Sequence, residues 1–163
     1  MSLTIYPPVS SGSGLPTADL LRSYLAATVT YNNDDTLGDT ALSVTVAAGG
    51  IYAIEMVVQS DNAVKSIKMD FGGTATITNF IGAWSTASAA DMSASGLMGN
   101  RVTSAGTDYT QVAFDGTNGV YWFTGTIEVN AAGTFLLRGA QNAADASDTT
   151  ILRGSSLILT KLN

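Results

Sequence analysis

The stretch TALSVTVAAGGIYAIEMVVQS, Thr40–Ser60, decides the fold class. Leu42, Val44 and Val46 alternate with Ser43 and Thr45. A period of two marks a strand with one buried face, because successive side chains of an extended chain point to opposite sides. Ala48-Gly49-Gly50 then turns the chain. In Ile51–Ser60, Tyr52, Ile54, Met56 and Val58 share one face, and Ile51, Ala53, Glu55, Val57 and Gln59 share the other. The first face is apolar throughout and predicts core. The second mixes Ile51, Ala53 and Val57 with polar residues, so it too calls for a cover.

The same texture extends outward. Strands are expected at Thr28–Tyr31, Val64–Phe71, Thr74–Trp84, Tyr109–Phe114, Val120–Val129, Thr134–Ala140 and Ile151–Leu162. Asn32–Asp35 and Gly72-Gly73 read as breaks, and Asp115–Gly119 (DGTNG) and Asn130–Gly133 (NAAG) as hairpin turns. Ser85–Asn100 is rich in Ala and Ser and is expected to be a long loop, with room for a helical turn; Asn142–Thr149 is a polar loop. Many short strands, frequent turn signals and 17 glycines predict an all-β, antiparallel β-sandwich of the jelly-roll kind. No repeat period covers the chain, which counts against a solenoid or propeller.

Ahead of the β region, residues 1–16 read as an extended N-terminal arm. Tyr6-Pro7-Pro8 favours polyproline II, and Ser10–Gly14 is a flexible Ser/Gly stretch. Residues 17–25 (TADLLRSYL) read as a short helix or linker, with Thr17 as N-cap and Leu20, Leu21 and Tyr24 on one face. The jelly-roll domain then runs over 26–163.

Composition narrows the function. The chain has 163 residues, which fits one domain, and only 12% are charged, about half the usual share. Its surface is either polar through Ser, Thr, Asn and Gly, or covered by partners. The net charge is −6 and the seven basic residues are scattered, so no nucleic-acid footprint exists. There is no His and no Cys. That excludes Ser-His-Asp and Cys-His catalysis, disulfides, and imidazole or thiolate metal sites. No apolar run is long enough for a transmembrane helix, and the N-terminus lacks the basic region of a signal peptide.

Candidate chemistry is sparse. Asn32–Asp35 with Asp39 offers hard oxygen atoms suited to Ca²⁺, but the spacing is not that of an EF-hand, and a solvated turn is the simpler reading. Glu55 and Glu128 are the only glutamates, and nothing in the sequence spaces them as a glycosidase pair. Phosphate-cradling glycine motifs are missing. No catalytic residue, cofactor or metal site is assigned, and the expectation is a non-enzyme. In Tyr121-Trp122-Phe123, Trp122 must face opposite to its neighbours, which makes it an exposed or interfacial aromatic, or a platform for a sugar. Arg138 and Arg153 stand in a near-repeat, LLRG at Leu136–Gly139 and ILRG at Ile151–Gly154. In so weakly charged a chain they are candidates for a subunit contact, with Glu55, Glu128 or Asp115 as acidic partners. Tyr6, Pro7 and Pro8 of the arm complete the interface candidates.

Two segments carry a resemblance. Leu42, Val44, Val46, Gly49, Tyr52, Ile54 and Glu55 resemble the first core strands of C1q/TNF-like jelly rolls as found in phage virion proteins. Gly125, Ile127, Val129, Gly133, Thr134, Phe135, Leu137, Ala140-Gln141-Asn142, Gly154-Ser155, Leu157, Leu159 and Leu162 resemble the closing half of the same modules. The resemblance spans about residues 26–162. It implies a homotrimer in a virion, on the capsid surface as a decoration (cement) protein bound to the major capsid protein. The alternative it leaves open is a fibre tip or receptor-binding knob, for which a host-surface glycan is a candidate partner. Neither role involves nucleic acid or a membrane. No functional residue carries over, because the matching positions are core and turn positions.

Overall fold

A computed structural model describes residues 20–62, 66–88, 98–102, 109–114 and 118–163. The arm, with Tyr6, Pro7 and Pro8, lies outside the described residues. Twelve strands follow in order: β1 Leu20–Tyr24, β2 Val29–Tyr31, β3 Gly38–Val46, β4 Ile51–Asn62, β5 Ile67–Gly72, β6 Thr76–Ser88, β7 Met98–Val102, β8 Tyr109–Phe114, β9 Asn118–Ala131, β10 Gly133–Gln141, β11 Thr149–Ile151 and β12 Ser156–Lys161. They form two antiparallel sheets. The larger runs β1-β12-β4-β9-β6-β7, with β11 continuing the β12 side of β4 and β2 pairing to β11; the smaller runs β3-β10-β5-β8. This is an all-β jelly-roll sandwich, and the alternation in Thr40–Ser60 is met in it: β3 buries Leu42, Val44 and Val46, and β4 buries Tyr52, Ile54, Met56 and Val58.

The core is organised around Phe71 of the small sheet. Its ring centroid lies 4.7 Å from that of Phe123, 5.2 Å from Phe135, 5.3 Å from Phe80 and 5.7 Å from Trp84, and all five side chains are buried. Phe80 and Phe123 stack at 5.5 Å with planes 7° apart. Space for this stack comes from two glycines paired across β6 and β9, Gly82 and Gly125. A Cβ on Gly82 would sit 2.1 Å from the Phe123 ring, and one on Gly125 would sit 2.5 Å from the backbone oxygen of Ile81.

A second fixed point is polar. Gln141 is fully buried at the end of β10, and its amide is saturated. Oε1 accepts from the N–H groups of Asp34 and Asp145, and Nε2 donates to the carbonyls of Asp145 and Ser147 at 3.0 and 2.7 Å. One side chain thus satisfies the backbone of two loops that no ladder serves.

Four expectations are corrected. Leu20–Tyr24 is a strand, not a helical turn: Leu20, Arg22 and Tyr24 face outward while Leu21 packs on the core. Ser23 bridges to the other sheet, its hydroxyl donating to the Ala41 carbonyl and accepting from the Ser43 N–H. Pairing with β12 overrides a weak helical preference. Neither DGTNG nor NAAG closes a hairpin. β8 and β10 belong to the small sheet and β9 to the large one, so both segments lead the chain from one sheet to the other. Asn118 and Gly119 already pair with β4, and 115–117 lie outside the described residues. Ser85–Ser88 and Met98–Asn100 are strand, not loop, whereas 89–97 are outside the described residues. The final strand is split into β11 and β12 by a turn at Leu152–Ser155.

The stacked glycines yield a test. Gly82→Ala should lower stability by about 1–3 kcal/mol through overpacking. Urea unfolding of the double variant with Phe123→Leu should show favourable coupling, since the obstructing ring is gone. Gly125→Ala should gain less from Phe123→Leu, because the Phe123 ring, at 2.8 Å from the added Cβ, is only one obstacle beside the backbone of Ile81 and Gly82.

Candidate functional site

The outer face of the large sheet carries most of the exposed apolar side chains. β4 and β9 are its long central strands, and their alternation turns every second residue outward. Register sets those residues in rows. Tyr24, Ser156, Val57, Trp122 and Ser85 form one, and Arg22, Ile158, Glu55, Thr124 and Ala83 the next. Leu20, Thr160, Ala53, Thr126 and Ile81 make a third, and Leu162, Ile51 and Glu128 lie beyond them. Tyr24 is 70% exposed, Val57 39% and Trp122 38%. At ordinary strand spacings the four rows span roughly 20 Å by 20 Å. Within that area Leu20, Tyr24, Ile51, Val57, Ile81, Trp122 and Leu162 are the exposed large apolar side chains, interspersed with Ser and Thr.

Few charges interrupt the face. Glu55 stands opposite Thr124, and Glu128 opposite Ile51. The two carboxylates are therefore four residues apart along β4 and one strand apart across it, about 14 Å. Glycosidase pairs stand at about 5–9.5 Å. Arg22 lies in the row of Glu55 with Ile158 between them.

The two arginines of the near-repeat are used differently. Arg138 lies on β10 opposite Asp39 of β3 and Asp70 of β5. Its Nε is 3.9 Å from Asp39 Oδ1, and its aliphatic stem covers Gly72. Asp70 is fully buried, and its Oδ1 accepts from the Phe71 N–H at 2.7 Å. In register, Arg138 thus stands between two carboxylates of its own chain. The β3–β10 ladder is irregular just before it, and the Thr40 hydroxyl repairs the gap by donating to the Leu137 carbonyl and accepting from the Leu42 N–H. Arg153 is exposed in the turn between β11 and β12. Four residues, Leu152–Ser155, stand there opposite Val58 and Gln59. The Ser155 N–H bonds to the Leu152 carbonyl, and Gly154 takes a φ of 94°, which the third position of such a turn requires. The turn docks on β1 through reciprocal backbone bonds between Leu25 and residues Gly154 and Ser155.

The acidic loop that suggested Ca²⁺ is occupied with its own backbone. Asp34 Oδ1 accepts from the Thr36 N–H, and Asn32 Nδ2 donates to Ala146 and Asp148. No cluster of three acidic side chains fit for a metal exists among the described residues.

Of the residues singled out from sequence, Glu55 and Trp122 share the outer face. Arg138 belongs to the other sheet and Arg153 to the turn between β11 and β12. Tyr24 and Leu20 were hidden by the helical reading of 17–25. Val57 and Ile51 were signalled by the apolar second face of Ile51–Ser60.

Tyr31 offers a titration test. It is buried against Gly139 and Ile151, with no hydrogen-bond partner for its hydroxyl among the described residues. Burial, reinforced by the Asp34 charge, pushes its pKa from 10.0 up to about 12. Burial also raises that of Tyr121, against the opposing bond from Ser60. The folded state therefore favours the neutral phenol, so this contribution is complete below pH 10 and is lost as pH rises towards 12. Tyr31→Phe should be neutral or stabilising by about 1 kcal/mol, since it removes an unsatisfied buried hydroxyl. It should also flatten the alkaline fall in unfolding midpoint.

No protein-family model matches the sequence. No curated protein matches it significantly. Among solved structures, the fold is similar to that of the TNF Eiger from S. frugiperda, with a TM-score of 0.40 and 12% identity over 88% of this chain and 92% of that one.

Proposed function

We propose that the chain is a bacteriophage structural protein, a capsid decoration protein that forms a homotrimer and stabilises the head shell by binding the major capsid protein. The observation that supports assembly is the apolar outer face of the large sheet, in a chain with few charges to keep it soluble. The virion setting rests on the sequence resemblance of Thr40–Ser60 and Phe123–Leu162. Closed three-fold packing would cover the face without open-ended edge pairing. Charge placement suits a head-to-side contact: Arg22 is on the edge strand β1, whereas Glu55 is on central β4, so the edge of one copy complements the centre of the next.

Native mass spectrometry at micromolar concentration should give a trimer. Val57→Asp or Trp122→Asp should give a monomer with an unchanged circular-dichroism spectrum. Arg22→Glu and Glu55→Arg should each weaken the trimer, and their combination should recover it. Quantitative analysis of purified virions should find the chain in the high copy number of a capsid lattice. A count matching a few fibres per particle would assign it instead as a fibre tip, where Trp122 is the exposed aromatic for a host glycan.

A further inference from the structure

One seam between the two sheets is closed by β1. Among the described residues, β1 pairs with β12 alone, from Leu20 opposite Thr160 to Tyr24 opposite Ser156. Its far side meets β3 of the small sheet with no ladder between them. Ser23 spans that gap: its Oγ donates to the Ala41 carbonyl at 3.0 Å and accepts from the Ser43 N–H at 3.1 Å. A single hydroxyl thus stands where ladder bonds would otherwise satisfy the edge of β3.

The inward positions of this segment alternate. Leu21 packs on the core opposite Leu159, Ser23 faces the seam, and Leu25 is buried just past the strand's end. Strand addition is read in this way, with backbone bonds giving affinity and alternate side chains giving specificity. Yet no side chain within Leu20–Tyr24 is fully buried. The strand beneath has its own support. β12 is laddered to β4 over the whole of Ser156–Lys161, and it sends Leu157 and Leu159 into the core.

We infer that the edge of β12 facing β3 is a strand-acceptor site whose occupant exchanges between copies, β1 of one chain inserting into the seam of a second. The occupant seated there is the chain's own strand. An identical strand from another copy therefore remakes every contact, including the reciprocal backbone bonds of Leu25 with Gly154 and Ser155. The link to β2 is Ala26-Ala27-Thr28, all exposed, which supplies a hinge. Ser23 is the latch on the β3 side. With equal contacts in both arrangements, concentration decides between them. A short tether holds β1 near its own seam at an effective concentration of the order of millimolar, so the closed form prevails in micromolar solution and exchange grows as the chain is concentrated. Exchange of an identical element costs little, and a shortened hinge drives it. The inference goes beyond the homotrimer reading and does not depend on it.

Disulfide trapping tests it, and the chain has no cysteine of its own to interfere. Arg22 and Ile158 stand opposite each other on β1 and β12. Directly opposed strand positions lie within the separation that a disulfide bridges. The background is Val57→Asp, which removes the outer-face contact of the trimer reading. Chains carrying Arg22→Cys are mixed at millimolar concentration with chains carrying Ile158→Cys under mild oxidation. The disulfide joining the two kinds of chain should exceed both symmetric disulfides. Ser23→Ala should speed its formation about tenfold, as expected from the loss of two hydrogen bonds. Deleting Ala26 and Ala27 in the same background should keep β1 from reaching its own seam and convert the monomer to an exchanged oligomer in native mass spectrometry. Mixed disulfides no more abundant than the symmetric ones would overturn the inference, even if the shortened chain fails to fold. A shortened chain that folds and stays monomeric would overturn it as well. A trimer of the unaltered chain without mixed disulfides would leave the homotrimer reading standing and remove the exchange, whereas mixed disulfides from a chain that never trimerises would do the reverse.

Discussion

Everything in this fold is built around one aromatic contact, Phe71 set among Phe80, Trp84, Phe123 and Phe135. Phe71 and Phe135 come from the small sheet and the other three from the large one, so this cluster is where the sheets are held face to face. Gly82 and Gly125 leave the backbone beside the Phe123 ring bare, and a Cβ at either would meet that ring. The same alternation that aims Phe123 inward aims Trp122 outward. The interior packing and the exposed face are two sides of one register.

That coupling explains how the chain can be both weakly charged and well folded. Core positions of β4 and β9 use up the strongest apolar residues on one side, and the other side retains Ile51, Val57 and Trp122. In a free-standing monomer those positions would be better filled by Lys, Glu or Thr. Arg138 has a different duty. Lying between Asp39 and Asp70, opposite an irregular ladder, it helps set which residues of β3 and β5 face β10. Its pair with Asp39 is largely exposed, with side chains 27% and 69% accessible, so it adds little stability.

Strand identity was largely legible because period-two alternation is a local property of the sequence. The buried faces of β3, β4, β9 and β12 follow from it directly. Which strands pair was not legible, since DGTNG and NAAG have the composition of hairpin turns whether the chain folds back in one sheet or crosses to the other. Leu20–Tyr24 was misread because five residues fit either period, and only β12, more than a hundred residues later, settles the matter. The outer face was half legible. Its β4 portion was visible as a second apolar stripe, but its extension over Tyr24, Leu20 and Ile81 depends on strand order. The partners of Arg138 depended on pairing as well, and no local signal marks them.

The pairing of β1 with β12 also sets a time order. Among the described residues, β1 has no ladder partner in the large sheet other than β12, and β12 lies between it and β4. On a ribosome, β1 therefore gains its ladder partner only once β12 has been made. The small sheet is complete once β10 has emerged, so it can close while the large sheet is still open on one side. Such long-range closure makes folding slow relative to helical domains of this length. It also makes folding of the large sheet conditional on translation having reached the final strand, so that an aborted product leaves β1 unzipped.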